Sequence, residues 1–113
     1  MVDIKKHIDE QTGYYDLKVS GEVDASSSIH LDEAITEAMN SSKHILVDLS
    51  DLDYISSAGL GVFMSNIQKI ESESIHFVLF GMKEKVFEVF EILGLDQLLV
   101  IKNEKKEALE AVK

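Results

Sequence analysis

The 113-residue chain contains no cysteine and no proline. Without cysteine it can form neither a disulfide framework nor a thiolate nucleophile or metal ligand. It also lacks a low-complexity tract, a linker-like segment and an obvious internal repeat. A chain of this length without such interruptions is predicted to form one compact domain over residues 1–113.

Long hydrophobic runs are absent as well. No segment approaches the ~20 consecutive apolar residues of a membrane-spanning helix. The first six residues, Met-Val-Asp-Ile-Lys-Lys, lack the long apolar core of a signal peptide. We therefore expect a cytoplasmic protein that does not insert into a membrane.

Basic residues are scarce relative to acidic ones. The chain has 21 aspartates and glutamates against 11 lysines and no arginine, which gives a formal net charge of −10. Such a charge repels nucleic-acid phosphates and anionic lipid headgroups. This disfavours direct DNA or RNA binding. It favours partners with a basic patch, although solubility alone is an equally good explanation of the charge.

The first part of the chain alternates between apolar and polar residues. Tyr15, Leu17 and Val19 are separated by Asp16, Lys18 and Ser20, which is typical of a half-buried strand. Together with the turn-like residues that precede this run, the pattern predicts a β-hairpin over residues 2–20.

Helices and strands alternate in the rest of the chain. Apolar spacing and cap residues predict, in order, a helix capped by Asp24 or Ser26 and ending near residue 40, a strand over 44–49, a helix from the serine pair to about 71, a strand over 75–80, a helix around 86–93, a strand over 97–101 and a helix over 104–112. The resulting order, ββαβαβαβα with about four helices, predicts an α/β domain with a mixed, mostly parallel sheet. The dense apolar run at 44–49 predicts a strand covered on both faces.

Two adjacent serines stand where the loop after the 44–49 strand becomes a helix. These are Ser56 and Ser57, and the helix that follows places Leu60, Phe63 and Ile67 on one face. The first N–H groups of a helix have no partner within it, and the macrodipole is positive there. A serine at this point can cap the helix, and a phosphate ester on it would be tolerated. We interpret this junction as a switch that the other elements hold in place.

Other readings of the junction have weaker support. Gly59 and Gly61 form a lone G-x-G pair inside the helix start and lack the third glycine of a dinucleotide fingerprint. Small residues here favour close packing on the sheet or a flat surface. The serines are not in a G-x-S-x-G nucleophile elbow, which disfavours an enzyme nucleophile.

Candidate metal ligands are present but do not form a recognisable motif. Asp48, Asp51 and Asp53 precede the serines and could hold Mg²⁺, but we favour roles in turn capping or simple solvation. The histidines are spread over different elements without an H-x-x-x-H pair, so no metal site is predicted from them. They are His7, His30, His44 and His76.

The segment Asp-Leu-Ser-Asp-Leu-Asp-Tyr-Ile-Ser-Ser-Ala-Gly-Leu-Gly-Val-Phe, residues 48–63, resembles the signature of the STAS-domain anti-sigma factor antagonists. Gly-Glu-Val-Asp, residues 21–24, is similar to a second feature of that family, a G-E-[Leu/Ile/Val]-D element after the hairpin. Both motifs occur in the family's order, and the similarity of length and element order extends over essentially the whole chain. The resemblance implies a single STAS-like domain.

The resemblance also implies a regulatory binding protein that is not an enzyme and needs no metal or cofactor of its own. In this family the unmodified domain binds an anti-sigma factor that is also a serine protein kinase, and the sigma factor is released. The kinase phosphorylates a serine at the start of the second helix, which breaks the complex. A metal-dependent serine phosphatase resets the cycle. We expect a monomer or weak dimer.

Carried onto this chain, the resemblance places the phosphorylated residue at Ser57. Ser56 stands where the family usually has aspartate, and it is the second candidate for modification. Asp24 aligns with an acidic residue of the family's partner surface, and the small residues beside the serine suit close docking. The expected partner-binding residues are Asp24, Ser56, Ser57, Ala58, Gly59 and Gly61.

Two other functions remain open from the sequence. A STAS-like domain without a phosphorylation cycle could serve as a scaffold or as a subunit of a larger, for example transporter-associated, complex. A small enzyme or ligand-binding domain could use the carboxylates near Asp48, although no intact catalytic motif supports this.

Overall fold

A computed structural model describes all residues, 1–113. It has six strands and five helices: β1 Val2–Ile8, β2 Tyr15–Val23, α1 Ser28–Ser41, β3 His44–Asp48, β4 Leu52–Ile55, α2 Ser57–Ser72, β5 His76–Phe80, α3 Glu84–Ile92, α4 Leu95–Leu98, β6 Val100–Lys102 and α5 Lys105–Ala111. The predicted single α/β domain is confirmed.

One sheet organises these elements. Its main path runs β1-β2-β3-β5-β6, and β4 pairs with β2 beside this path. The β1–β2 pair is antiparallel, whereas all other pairs are parallel. The predicted N-terminal hairpin and mostly parallel sheet are therefore present. The nine-residue β2 pairs with β3 through its first half and with β4 through its second half.

Two short elements depart from the predicted order. The sequence analysis placed β4 in the loop between the 44–49 strand and the serines, but residues Leu52–Ile55 form a short strand in which only Leu52 and Ile55 are buried. It is a strand because it completes the pairing of the second half of β2. One helical turn, α4, follows Gly94, so the strand expected over 97–101 begins only at Val100.

The core lies on both faces of the sheet. The larger cluster packs α1, α2 and α3 on one face, and the smaller one joins Leu46, Val78 and Phe80 to Ala108 and Val112 at α5 on the other. The prediction that the 44–49 segment is covered on both faces is thus confirmed. No helix combines the length and the apolar character that crossing a bilayer requires.

Aromatic packing fixes helix α2 on its face of the sheet. The Phe63 ring lies 5.5 Å from that of Phe90 on α3 and 6.5 Å from that of Phe77 on β5, measured between centroids. Phe63 is buried, and such aromatic pairs add stability beyond the area that they bury. The start of α2 is consequently held at a defined position above the sheet edge.

Candidate functional site at the start of helix α2

The parallel pairing of β2 and β4 brings two separated parts of the chain together. Val23 and Ile55 are register partners near the ends of these strands, and the Ser56 N–H donates to the Val23 carbonyl at 2.8 Å. Asp24 follows one strand and Ser56 the other. Because parallel strands end at the same edge, the Asp24 turn lies beside the start of α2. The structure therefore unites the two segments that the sequence singled out separately.

The two serines have different roles in the fold. Ser56 is the N-cap of α2, and its Oγ accepts a hydrogen bond from the Gly59 N–H at 3.2 Å. Ser57 is the first helical residue, and it is exposed. Its hydroxyl makes no hydrogen bond within the chain, unlike that of Ser56. Ser57 thus presents a free hydroxyl at the positive end of a 16-residue helix.

The small residues after the serines divide between surface and core. Ala58 is exposed, and a Cβ added to Gly61 would meet no atom within 4 Å. Gly59 is buried instead, and a Cβ there would lie 2.7 Å from Ile55 Cγ1 and 2.8 Å from Val23 Cγ1. The predicted partner contact at Gly59 is therefore corrected: this glycine lets α2 pack on the ends of β2 and β4.

Asp24 stabilises the turn that leads into α1. Its Oδ1 accepts hydrogen bonds from the Ser27 N–H at 2.8 Å and from the Ser27 and Ser26 hydroxyls at 2.9 Å each. These bonds lower the pKa of Asp24 to about 2. The predicted cap of α1 by Asp24 or Ser26 is wrong, because Ser27 occupies the N-cap position and makes no side-chain cap bond. Asp24 remains an exposed, ionised carboxylate beside the serines.

Three large apolar side chains are exposed on the elements that meet at this site, and the sequence analysis missed them. Tyr54 on β4 is 52% exposed, Met64 on α2 50% and Ile29 in the first turn of α1 60%. Ser57, Gly61 and Met64 recur at the i, i+4, i+7 spacing of one helix face. Exposed apolar side chains of this kind are common in protein-binding surfaces. The spacing of Met64 from Ser57 was the available sequence signal.

The acidic residues before the serines do not converge. Asp48 Oδ1 accepts bonds from the N–H and hydroxyl of Ser50 at 2.9 and 2.7 Å. Asp51 pairs with Lys18 at 3.1 Å, and Asp53 pairs with Lys83. This arrangement supports the favoured interpretation of these residues as turn caps and surface charges, since each carboxylate has a different local partner.

Two of the four histidines lie together, contrary to the scattered arrangement that the sequence suggested. His44 and His76 begin the neighbouring strands β3 and β5, and their rings stack with centroids 4.7 Å apart. His44 Nδ1 lies 2.6 Å from the Val112 carbonyl oxygen. No group of three or more His, Asp or Glu side chains is arranged to hold a metal ion.

Known proteins resemble this chain in both sequence and fold. The family model of the STAS domain matches residues 5–108. The anti-sigma-B factor antagonist of Listeria monocytogenes is 33% identical over 103 residues, which cover 90% of this chain and 88% of the relative. The protein of the same name from Staphylococcus aureus is 30% identical over 90 residues, covering 79% and 83%. A crystal structure of a candidate anti-sigma factor antagonist from Thermotoga maritima superposes with a TM-score of 0.85 at 25% identity, covering 96% and 93%.

Proposed function

This chain belongs to the STAS domain family, and we propose that it acts as an anti-sigma factor antagonist controlled by serine phosphorylation. In unmodified form it binds an anti-sigma factor that is also a serine protein kinase, and the sigma factor is released. The names of its relatives from Listeria and Staphylococcus support this role. The STAS anti-sigma factor antagonists are regulatory binding proteins rather than enzymes.

The observation that carries the proposal is the position of Ser57. Its hydroxyl is exposed, has no hydrogen-bond partner in the chain and lies at the first residue of α2. A phosphate there adds roughly −1.5 to −2 charge, which the helix macrodipole and the unpaired N–H groups of the first turn tolerate. Modification of Ser57 therefore requires no refolding of the domain.

Ser57 is a better acceptor than Ser56 for a structural reason. The Ser56 hydroxyl is partly buried, and it caps α2 through the Gly59 N–H. A phosphate on Ser56 would replace this cap and would have to fit beside the ends of β2 and β4. We therefore assign the modification to Ser57 and keep Ser56 as the second candidate.

Phosphorylation would break the complex through its effect at the interface. The unmodified surface around Ser57 combines small residues, Ala58 and Gly61, with the exposed apolar side chain of Met64. Close docking on such a surface leaves no room for a hydrated dianion. The Asp24 carboxylate on the neighbouring turn adds a like charge. Burying unpaired charge at an interface costs several kcal/mol, and each ~1.4 kcal/mol changes the affinity tenfold.

The same exposure explains how the modification could be reversed. A phosphoserine at the first residue of α2 projects from the surface, where a metal-dependent serine phosphatase can reach it without unfolding the domain. The phosphatase would restore the free hydroxyl and the binding-competent form. This chain needs no metal or nucleotide for the cycle, since the kinase brings ATP and the phosphatase brings its metal.

A kinase assay and a binding titration test the proposal together. The ATP-binding serine kinase that co-purifies with the unmodified chain is incubated with it and ATP, and mass spectrometry locates the phosphate; Ser57 is expected. In calorimetric titration against this kinase, Ser57→Asp is expected to lose at least about tenfold in affinity, a change of ~1.4 kcal/mol. Ser57→Ala, the matched control, should bind like the native chain and resist phosphorylation.

Two results would contradict the proposal. If Ser57→Asp binds as tightly as Ser57→Ala while both keep native circular dichroism, an anion at this position does not control docking. If the kinase leaves the chain unmodified although a stable complex forms, the domain acts as a scaffold without a phosphorylation cycle.

A further inference from the structure

Strand β1 forms an open edge of the sheet. It runs over seven residues, Val2–Ile8, and pairs with β2 on one side, with no strand on the other. Its pairing has no register shift and its sequence no proline, so two of the devices that commonly block an edge strand are missing. The outer row of backbone N–H and C=O groups can therefore pair with another strand.

Hydrogen bonds at both ends of the hairpin show which backbone groups point outward. The Asp9 N–H donates to the Tyr14 carbonyl at 2.9 Å, and the Glu22 N–H donates to the Met1 carbonyl at 3.4 Å. Bonded and non-bonded pairs alternate along two antiparallel strands, so the odd-numbered residues of β1 bond to β2. The even-numbered residues direct their N–H and C=O groups to the free edge; they are Val2, Ile4, Lys6 and Ile8.

An apolar groove lies along this edge, between β1 and helix α1. It measures about 420 Å³, and its apolar lining consists of Val2, Ile4, Tyr15, Leu17 and Ala34. An ion pair between Lys6 and Glu37 lies at its rim. Helix α1 packs on β2, which leaves space above the edge strand. A strand added to β1 would place alternate side chains over this groove, as in other strand-addition complexes.

Charges on the opposite face of β1 are complementary to a second copy of the same strand. Asp3 and Lys5 have opposite charges, are exposed and lie two residues apart, so they share a face. Their own contact, at 4.0 Å, is a solvent-exposed pair that contributes little. In an antiparallel pair centred on Ile4, Asp3 of each copy faces Lys5 of the other. A pair centred on Lys5 would instead oppose two lysines, which is destabilising.

We propose that two copies of this chain associate through β1, antiparallel and centred on Ile4, and form one continuous sheet across a two-fold axis. The Ile4 side chains of both copies then meet over the joined grooves. The two β2 strands lie three strand spacings, about 14 Å, apart. Packed helices need only about 8–10 Å, so the two α1 helices do not collide. The net charge of −10 on each copy opposes association and makes the dimer weak.

Amide hydrogen exchange, measured by NMR on dilute and concentrated ¹⁵N-labelled chain, tests the register directly. The amides of Ile4 and Lys6 should exchange more slowly in the concentrated sample, because they gain bonds to the second copy. The Lys5 amide, which bonds to β2, should be protected equally in both. The Ile8 amide should exchange rapidly in both, because it has no partner in this register. Sedimentation over the same concentrations should show a monomer–dimer equilibrium.

A charge swap tests the pairing of side chains. Asp3→Lys and Lys5→Asp should each weaken association at least about tenfold, because each places like charges opposite one another. The chain with both substitutions should associate like the native chain, and a mixture of the two single variants should form a mixed dimer. Lys85→Asp, on an exposed position of α3, changes the net charge as Lys5→Asp does and is the matched control, which should associate normally.

Three results would overturn the proposal. A chain that sediments as a monomer at every concentration leaves this edge to a strand of another protein. Protection of the Ile8 amide, or failure of the double substitution to restore association, contradicts the register. An equal loss in Lys85→Asp and Lys5→Asp would reduce the effect to net charge. Circular dichroism of each variant separates lost association from lost folding.

Discussion

The two glycines at the start of α2 should respond in opposite ways to the same substitution. Gly59 is the third residue of the helix and Gly61 the fifth, and both become alanine in the test. At Gly59 the new Cβ would lie 2.7 Å from Ile55 Cγ1 and 2.8 Å from Val23 Cγ1, whereas at Gly61 nothing lies within 4 Å. Packing against the sheet therefore decides one outcome and helix propensity decides the other.

The expected magnitudes follow from these distances. Ile55 and Val23 are β-branched, stiff at χ1 and almost completely buried, so neither can turn away from the new methyl group. Overpacking of this kind costs about 1–3 kcal/mol, and alanine's better helix propensity offsets up to about 1 kcal/mol of that. Gly59→Ala should lower the free energy of unfolding by roughly 1–2 kcal/mol. Gly61→Ala should raise it by about 0.5–1 kcal/mol.

Urea unfolding followed by far-ultraviolet circular dichroism measures both effects. The two variants should differ by roughly 2 kcal/mol, a factor of about 30 in the unfolding constant. Binding should show the reverse order: Gly61→Ala adds a methyl group to the exposed face and should weaken partner docking, while folded Gly59→Ala should bind like the native chain. Equal stability of the two variants, or loss of docking only in Gly59→Ala, would refute this account of the helix start.

Further predictions concern the serines and the Asp24 turn. Ser56→Ala removes the cap of α2 and should lower the free energy of unfolding by about 1 kcal/mol; Ser57→Ala, its control, should leave it unchanged, and equal losses would contradict the division of roles. Because the Ser27 and Ser26 donors lower the pKa of Asp24 from 3.8 to about 2, its stabilising effect is complete above the unfolded-state pKa and is lost as the pH falls through about 2. In Asp24→Asn, the midpoint of urea unfolding should therefore decrease less steeply as the pH is lowered below about 4. An unchanged pH profile in Asp24→Asn would argue against these hydrogen bonds.

Much of the fold follows from local patterns. The alternation around Tyr15 predicted the hairpin, and the dense run at 44–49 predicted a strand buried on both faces, because side-chain period and burial are properties of a few consecutive residues. The serine pair before an amphipathic helix predicted its start to within one residue. Gly94 was predicted to stop the helix before it, and it follows the end of α3 with a φ of +73°.

Features that depend on pairing between distant segments were not predictable in this way. β4 is a strand only because the second half of β2 lies beside it, and His44 meets His76 only because β3 and β5 are neighbours. The burial of Gly59 likewise depends on Val23, which is 36 residues earlier in the chain.

The amino-acid sequence by itself determined the family, the order of most elements and the two segments that carry the candidate site. Only the tertiary structure decided that Asp24 lies beside the serines, that Ser56 caps while Ser57 is free, and that Gly59 belongs to the core. The physical reason is the range of the forces involved. Periodicity and capping act over one or two turns of chain, whereas strand register and close packing are set by contacts between residues far apart in sequence.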